Sequence, residues 1–285
     1  MNKRTNLFDY HTQALAHGRN QKLKIDETIE AAINCGLSAI CLTDHFPLPK
    51  DYFDPTYDVR VSYPEYVEKV LTAKNRYRSQ IEVLLGAEFD WISGYSNWIR
   101  NEIAKYPFDY VIGSVHYIFG GDGVYFPIDF TQSYFNQAVR HFGDMRKVVE
   151  RYYSLVQDIA VSKLFDCVGH LDRIKVFNDG SLFDEQSQWY QQQVIQTLDK
   201  LATTKIVMEV NTSGFDRAGV SSYPSLWILK ETKKRGIDIT FGSDAHRPGE
   251  VGRYFDRAVE LVKHAGYREL VRFVNREKRR VPIIT

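Results

Sequence analysis

Five histidines and two carboxylates stand where short apolar segments of the chain end. Imidazole and carboxylate groups without thiolates suit zinc, manganese or iron, and a cluster of this size exceeds the ligand set of one ion. The pattern therefore predicts a site for two or three divalent metal ions (Zn, Mn or Fe). The residues are His11 in FDYH, His45 in CLTDH, Glu88 in LLGAE, His116 in GSVH, His170 in CVGH, and Asp244 and His246 in FGSDAH.

Two further side chains near the first histidine are candidate metal ligands. Gln13 follows His11 by two residues, so both lie on one face if the backbone is extended, but Gln13 offers only a neutral carbonyl oxygen. His17, in the following AHGR stretch, can reach back over the site. The two remaining histidines, His141 and His264, lie inside helical segments and are excluded from the site.

The predicted chemistry is hydrolysis of a phosphate ester. A metal cluster lowers the pKa of bound water, and ions about 3.5–4 Å apart suit attack on a phosphoryl or acyl centre. With only Glu88 and Asp244 as evident carboxylate ligands, the loaded site keeps a net positive charge, which favours an anionic substrate.

Cationic side chains near the same segment ends can contact the phosphate. Each of them can equally be a solvated surface charge, and Arg217 is the favoured candidate. The set comprises Arg217 in NTSGFDR, Arg173 and Lys175 in HLDRIK, and Arg19 and Arg247 beside His17 and His246.

The elements that must position these residues alternate between strand and helix. β-Branched apolar runs are separated by segments with helical spacing, which predicts a parallel sheet covered by helices. Seven such units favour a closed α/β barrel, although an open doubly wound sheet has the same alternation. In both folds the carboxyl ends of the strands open onto one face, where the candidate residues converge. The predicted strands are 7–11, 39–43, 81–88, 110–115, 165–170, 206–211 and 237–242.

Helices are predicted between these strands and after the last one, and no linker divides the chain. We therefore expect one domain over residues 1–285. Two irregular segments, 47–61 and 119–131, are the predicted specificity loops. The predicted helices are 25–35, 63–77, 135–161, 186–203 and 224–235, with closing helices at 251–264 and 267–276.

The composition excludes several classes of protein. The 285 residues are 44% hydrophobic and 26% charged, with 37 Lys+Arg against 36 Asp+Glu, which excludes disorder, collagen and coiled coil. The net charge of +1 predicts no nucleic-acid or membrane partner. Three cysteines without a Cys-x-x-Cys motif, and an N-terminus without an apolar stretch, predict a cytoplasmic location; the oligomeric state is not predicted.

The motifs DYHTQ with His17, LTDH, GAE, GSVH with GHLD, and GSDAH, in this order, resemble the polymerase and histidinol phosphatase (PHP) family of metal-dependent phosphoesterases. The resemblance spans nearly the whole chain. All expected ligand positions carry the usual residue type except Gln13, where the family usually has histidine. The resemblance implies a single distorted (β/α)7 barrel, a trinuclear metal site and a metal-bridging hydroxide that attacks phosphorus in line.

The resemblance also implies a role for each matching residue. Asp244 can hydrogen-bond the nucleophile, and either His17 or His246 protonates the leaving alkoxide. Arg217, Arg173 and Lys175 would contact the phosphate. The implied ligand sets are His11, Gln13, Glu88 and Asp244 for one ion, Glu88, His116 and His170 for a second, and His17, His45 and His246 for a third.

Within the family, strings such as EFDWI, FDCVGHLD and MEVNTSG are most similar to the branch that releases phosphate from L-histidinol phosphate in histidine biosynthesis. The alternatives are a PHP phosphoesterase for nucleotides, phosphotyrosine or a nucleic-acid end, and an amidohydrolase barrel. The latter typically needs a lysine where this chain has His116. A third alternative is a metal-binding protein that has lost catalysis through Gln13.

Overall fold

A computed structural model describes residues 6–14, 23–50, 62–121, 124–217 and 221–283. Short strands alternate with helices along these residues, as the sequence predicts. The strands are β1 (Phe8–Thr12), β2 (Ala39–Leu42), β3 (Glu82–Asp90), β4 (Tyr110–Ser114), β5 (Tyr117–Gly121), β6 (Val124–Pro127), β7 (Cys167–Val168), β8 (Val207–Asn211), β9 (Ile239–Gly242), β10 (Glu269–Val274) and β11 (Glu277–Pro282).

Seven of these strands form one parallel sheet in the order β1-β2-β3-β4-β7-β8-β9. The two outer strands meet at their carboxyl ends, because Gln13 N donates to Ala245 O at 2.8 Å and Asp244 N donates to His11 O at 2.8 Å. The sheet is therefore a nearly closed barrel, so the predicted (β/α)7 barrel is confirmed over the open sheet. Every side chain of β2 is buried, as expected for strands covered by helices.

The helices cover the outside of the barrel. Ser62 caps α2 by accepting from Glu65 N, and Asp144 caps α5 by accepting from Arg146 N. The predicted helix 135–161 is two helices, because Gly143 adopts a positive φ of 73° between them. The helices are α1 (Ile25–Asn34), α2 (Tyr63–Tyr77), α3 (Ser96–Ala104), α4 (Gln132–Phe142), α5 (Met145–Ser162), α6 (Gln188–Ala202), α7 (Leu226–Lys234) and α8 (Phe255–His264).

Two predicted segments differ from expectation or lie outside the described residues. The segment 119–131 contains most of the β5–β6 hairpin, so it is not an irregular loop. Most of the other predicted specificity loop, residues 51–61, lies outside the described residues. Among the described residues, no helix is long and apolar enough to cross a membrane.

The predicted second closing helix, 267–276, is wrong. Its residues form β10, which pairs with β11 in an antiparallel hairpin. Asn275 and Arg276 connect the strands, and both have positive φ (50° and 63°), the conformation of a two-residue type I′ turn. Tight turn geometry and pairing with β11 therefore override the helical spacing of this segment.

The β10–β11 hairpin lies across the amino-terminal ends of the barrel strands. Tyr10 Oη donates to Phe273 O at 2.6 Å and accepts from Phe273 N at 2.9 Å. At the turn, Arg276 forms an ion pair with Asp166, which precedes β7, and its backbone N–H donates to Asp109 O, just before β4. The hairpin thus covers the end of the barrel opposite the carboxyl ends of the strands.

The double hydrogen bond of Tyr10 predicts a measurable contribution to stability. We expect Tyr10→Phe to lower the free energy of unfolding by about 1–3 kcal/mol, because the buried Phe273 backbone groups lose their partner. Urea unfolding followed by circular dichroism measures this change. Tyr63→Phe is the matched control, since Tyr63 Oη is also buried but has no hydrogen-bond partner among the described residues. Equal losses in the two variants would show that the bonds to Phe273 are not the cause.

Candidate metal centre

Glu88 lies at the centre of the candidate site, near the carboxyl end of β3. Its Oε1 atom is 3.1 Å from His170 Nε2 and 3.5 Å from His116 Nε2. Its Oε2 atom is 3.0 Å from His11 Nε2 and 3.3 Å from His45 Nδ1. Four histidines from four segments of the chain thus surround one carboxylate that is only 1% exposed.

The electrostatics of this cluster favour a negatively charged glutamate. Burial alone raises the pKa of Glu88, but His11, His45 and His116 hold it well below its ordinary value. Ser114 Oγ also donates to Glu88 Oε1 at 2.6 Å. A buried carboxylate of this kind requires nearby positive charge, which either protonated imidazoles or a bound cation can supply.

A β-bulge in β1 directs His11 toward Glu88. Three residue steps separate Asp9 from Thr12, but only two separate their partners Ile40 and Leu42 on β2. The extra residue breaks the alternation of faces, so the neighbouring side chains Tyr10 and His11 both contact the inside of the barrel. Tyr10 contacts Tyr110 and His11 contacts Glu88, two residues on the same face of the β3–β4 pair.

The loop after β9 brings Asp244 beside His11. Asp244 Oδ1 lies 3.6 Å from His11 Nε2, and its backbone has a positive φ of 52°. Burial opposes ionisation, but His11, His246 and Arg173 depress the pKa of the Asp244 carboxyl strongly. His246 is half-buried, and its Nδ1 lies 2.9 Å from Asp244 O, which makes Nδ1 the protonated nitrogen in the neutral ring.

Two carboxylates missed by the sequence analysis contact the far side of the histidine rings. Glu209, on β8, lies 2.7 Å from His11 Nδ1, and Asp90, on β3, lies 2.8 Å from His116 Nδ1. Asp90 follows Glu88 by two residues and therefore shares its face, a spacing present in the string EFD. Glu209 stands in the apolar string KIVMEV, where a buried carboxylate is itself a signal.

The donor atoms at Glu88 fit a shared cation. His116 Nε2 and His170 Nε2 are 3.1 Å apart, and both point at the same oxygen of Glu88. Within the described residues, Glu88, His116 and His170 form one group with metal-ligand spacing, and His45, Asp90 and His116 form another. Imidazole and carboxylate oxygen are ligands of zinc, manganese and iron, so the residues present fit such an ion.

Of the two remaining predicted ligands, Gln13 and His17, the structure describes only Gln13. Gln13 is buried directly after β1, two residues beyond His11. His17 and the nearby Arg19 lie outside the described residues, so their predicted roles stay predictions.

Of the predicted phosphate contacts, the structure brings Arg173 to the site. Its Nη1 lies 3.5 Å from Asp244 Oδ2, and its Nε donates to Asp129 Oδ2 at 3.0 Å. Burial lowers the pKa of Arg173, but Asp129, Tyr223 and Asp244 outweigh it and raise the pKa above its ordinary value.

Lys175 and Arg217 are placed differently. Lys175 is 2% exposed, with its Nζ 2.7 Å from Asp172 Oδ2 and within hydrogen-bond distance of Ser225 Oγ at 2.5 Å. Because the Lys175 ammonium is paired with the buried Asp172 carboxylate, it is not available to a phosphate, and the expectation that Lys175 contacts phosphate is corrected. Arg217 is exposed and donates to Val176 O at 3.1 Å, and Arg247 is exposed as well.

A parallel α/β barrel with histidines and carboxylates at the carboxyl ends of its strands is typical of metal-dependent hydrolases. The comparison with protein families defines the class further. The model of the PHP domain matches residues 9–213, and the model described as PHP-associated matches residues 229–258. The chain belongs to the PHP family.

Known relatives share most of their length with this chain. A protein of Deinococcus radiodurans named probable histidinol-phosphatase is 32% identical over 244 residues, which are 85% of this chain and 87% of that protein. The histidinol-phosphatase of Bacillus subtilis is 30% identical over 264 residues, 88% and 96% of the two chains. A crystal structure of histidinol phosphate phosphatase from Lactococcus lactis, complexed with zinc, L-histidinol and phosphate, superposes with a TM-score of 0.76. The sequence identity is 23%, and the superposition covers 97% of this chain and 99% of that chain. The two proteins therefore share the fold.

The position of Lys175 predicts a structural phenotype. We expect Lys175→Met to lower the free energy of unfolding by about 3–5 kcal/mol, because Asp172 is left buried without its cation. Chemical unfolding of the metal-free protein measures the loss. In the matched control Lys69→Met, the lysine and its partner Glu65 are both 50% exposed, so a loss below about 1 kcal/mol is expected. A stable Lys175→Met protein would contradict the buried pair.

Proposed function

We propose that the protein is a metal-dependent phosphomonoesterase that hydrolyses L-histidinol phosphate to L-histidinol and phosphate, a step of histidine biosynthesis. The observation that carries the proposal is the buried Glu88 carboxylate, which faces four histidines at the carboxyl ends of the strands. The names of the relatives from Deinococcus radiodurans and Bacillus subtilis support the choice of substrate. A cytoplasmic location and a single domain stay predictions.

The proposed cofactors are two or three divalent ions, zinc, manganese or iron. When bound, such ions supply a hydroxide at neutral pH and stabilise negative charge on the phosphoryl oxygens. The donor set around Glu88 and the zinc in the Lactococcus lactis complex support divalent metal. The proposed ligands are His11, Gln13, His17, His45, Glu88, His116, His170, Asp244 and His246.

Arg173 is the proposed phosphate contact. Its guanidinium lies beside Asp244, where a phosphoryl group held at the cluster would be, and it is partly exposed at 17%. Its Nε donates to Asp129 Oδ2 at 3.0 Å and its Nη1 donates to Ser213 Oγ at 3.3 Å. These two hydrogen bonds orient the guanidinium before a substrate binds. The exposed Arg217 is the second proposed contact.

The proposed reaction transfers the phosphoryl group to water. A bond forms between phosphorus and the water oxygen, the bond from phosphorus to the histidinol oxygen breaks, and the leaving alkoxide takes a proton. Asp244 is proposed to orient the attacking oxygen. His246 or His17 is proposed to protonate the alkoxide, since His246 is half-buried at the edge of the cluster and its Nδ1 bonds to Asp244 O.

Metal removal and a substrate panel test this function. We expect exhaustive chelation to abolish phosphatase activity and added zinc or manganese to restore it, because Glu88 and its histidines would have lost the ions they hold. Elemental analysis confirms the metal loss. The value of kcat/KM for L-histidinol phosphate should exceed the values for a nucleoside monophosphate and for phosphotyrosine by at least about 100-fold, or about 2.7 kcal/mol.

Three results would contradict the proposal. Full turnover after confirmed metal loss would remove the metal mechanism. A preference for the nucleotide or for phosphotyrosine would assign a different substrate within the family. Metal binding without hydrolysis of any of these esters would favour a metal-binding protein without catalysis.

A pair of arginine variants tests the phosphate contacts. We expect Arg173→Lys to lower kcat/KM by about 10–100-fold, because a single ammonium nitrogen lacks the planar guanidinium whose Nε contacts Asp129 and whose Nη1 contacts Ser213 while Nη2 is left for a phosphate. Arg217→Lys should cause a smaller loss, because Arg217 is exposed. Arg76→Lys, at an exposed arginine paired with Asp26, is the matched control and should change kcat/KM by less than about threefold. Steady-state kinetics with L-histidinol phosphate provide the three values. A larger loss in Arg217→Lys would make Arg217 the main phosphate contact.

A further inference from the structure

Glu209 is a buried carboxylate that the proposed reaction does not use. It lies on β8, is 1% exposed, and its Oε1 atom is 2.7 Å from His11 Nδ1. Its Oε2 atom accepts from His170 N at 2.7 Å and from Asn211 Nδ2 at 3.2 Å. One carboxylate on β8 thus binds the side chain of one proposed metal ligand and the backbone of another.

The two neighbouring strands leave room for this side chain. A Cβ atom on Gly242, at the end of β9, would lie 2.0 Å from Glu209 Oε1 and 2.5 Å from His11 Cβ. A Cβ atom on Gly169, just after β7, would lie 2.4 Å from Ser114 Oγ and 3.6 Å from Glu209 Oε2. The absence of a side chain at Gly242 therefore permits the contact between Glu209 and His11, whereas a Cβ atom on Gly169 would clash with Ser114 and only touch Glu209.

Within the described part of the chain, the carboxylate of Glu209 has one ion-pair partner. Among the described residues no lysine or arginine forms an ion pair with it, and His11 is its ionisable contact. A buried carboxylate is costly unless its hydrogen bonds and charge are satisfied. The contact with His11 therefore offsets part of the cost of burying this carboxylate.

The orientation of the histidine rings around Glu88 also supports a role for Glu209 at His11. His45 presents Nδ1 to Glu88, whereas His11 and His116 present Nε2. In both of these rings Nδ1 faces a second carboxylate, Glu209 or Asp90. In these two rings a second carboxylate therefore occupies the nitrogen that faces away from Glu88.

We propose that Glu209 is a positioning residue: by accepting a hydrogen bond from His11 Nδ1, it fixes the tautomer and the ring angle that direct the lone pair of Nε2 toward the metal centre. Through His170 N, the same carboxylate holds the start of the segment after β7 in place. A carboxylate behind a ligating histidine orients the ring and raises its basicity. This inference rests on the proposed metal site but not on the identity of the substrate.

Metal affinity tests the inference without an activity assay. We expect Glu209→Gln to weaken zinc binding about 10–100-fold, measured by competition with a chromogenic chelator. Glutamine has the same size but one acceptor oxygen, so it cannot accept from both His11 Nδ1–H and His170 N–H. Glu209→Asp keeps the negative charge but has a shorter side chain that no longer reaches His11 Nδ1. It should therefore also weaken zinc binding, because the contact with His11 is lost and not the charge.

A double-mutant cycle with His11 separates positioning from general structure. In a His11→Ala background, Glu209→Gln should cause a smaller loss of zinc affinity than in the wild-type chain, because the ring it orients is gone and only its contact with His170 N can still be lost. The free energy of unfolding of each metal-free variant is measured in parallel. An equal loss of affinity with and without His11 would overturn the proposal, as would unchanged affinity in Glu209→Gln.

Asp109→Asn is the matched control. Asp109 is also 1% exposed and accepts from Leu85 N and Asn275 N, but it lies at the opposite end of the barrel. This variant should lose stability and keep its zinc affinity, and a loss as large as that of Glu209→Gln would reduce the effect to destabilisation. A wild-type chain that takes up no zinc would overturn the inference, whereas zinc binding without hydrolysis would overturn only the proposed function.

Discussion

The negative charge of Glu88 inside the barrel is the constraint on which the site depends. A carboxylate that is 1% exposed has lost nearly all of its solvation by water, and positive or hydrogen-bond-donating groups must replace that solvation. Each of its oxygens is shared by two imidazoles, from His11 and His45 on one side and from His116 and His170 on the other. Because parallel strands end on one face, a seven-stranded barrel can supply these groups from distant parts of the sequence.

Closure of the barrel positions Asp244 and His246 relative to His11. Asp9, on β1, accepts from Ser243 N and from Gly252 N, both at 2.9 Å, and so binds both ends of the loop that carries Asp244 and His246. The bulge in β1 then directs His11 into the same space. A single distorted strand therefore closes the fold and aligns two parts of the site, although they are separated by more than 230 residues.

The sequence predicts most of the fold because apolar strands and amphipathic helices have different periods, and it predicts the cluster because histidines follow those strands. It fails where the deciding partner is distant in sequence. The segment 269–274 pairs with β11 through the Asn275–Arg276 turn, and helical spacing cannot reveal this pairing. Arg173 and Lys175 are two residues apart in one short 3₁₀ helix, yet one reaches Asp244 and the other Asp172, a difference in side-chain direction that residue type does not encode.

The carboxylates around His11 fall into two groups according to the nitrogen of its ring that they contact. Glu88 and Asp244 face His11 Nε2, the side on which the donor atoms converge, whereas Glu209 faces its Nδ1. In a neutral imidazole one nitrogen donates and the other accepts, so a carboxylate on Nδ1 commits the lone pair of Nε2 to the centre. Sequence spacing indicates that acidic residues are near histidines, but only the geometry at His11 distinguishes a carboxylate on the side where the donor atoms converge from one behind the ring.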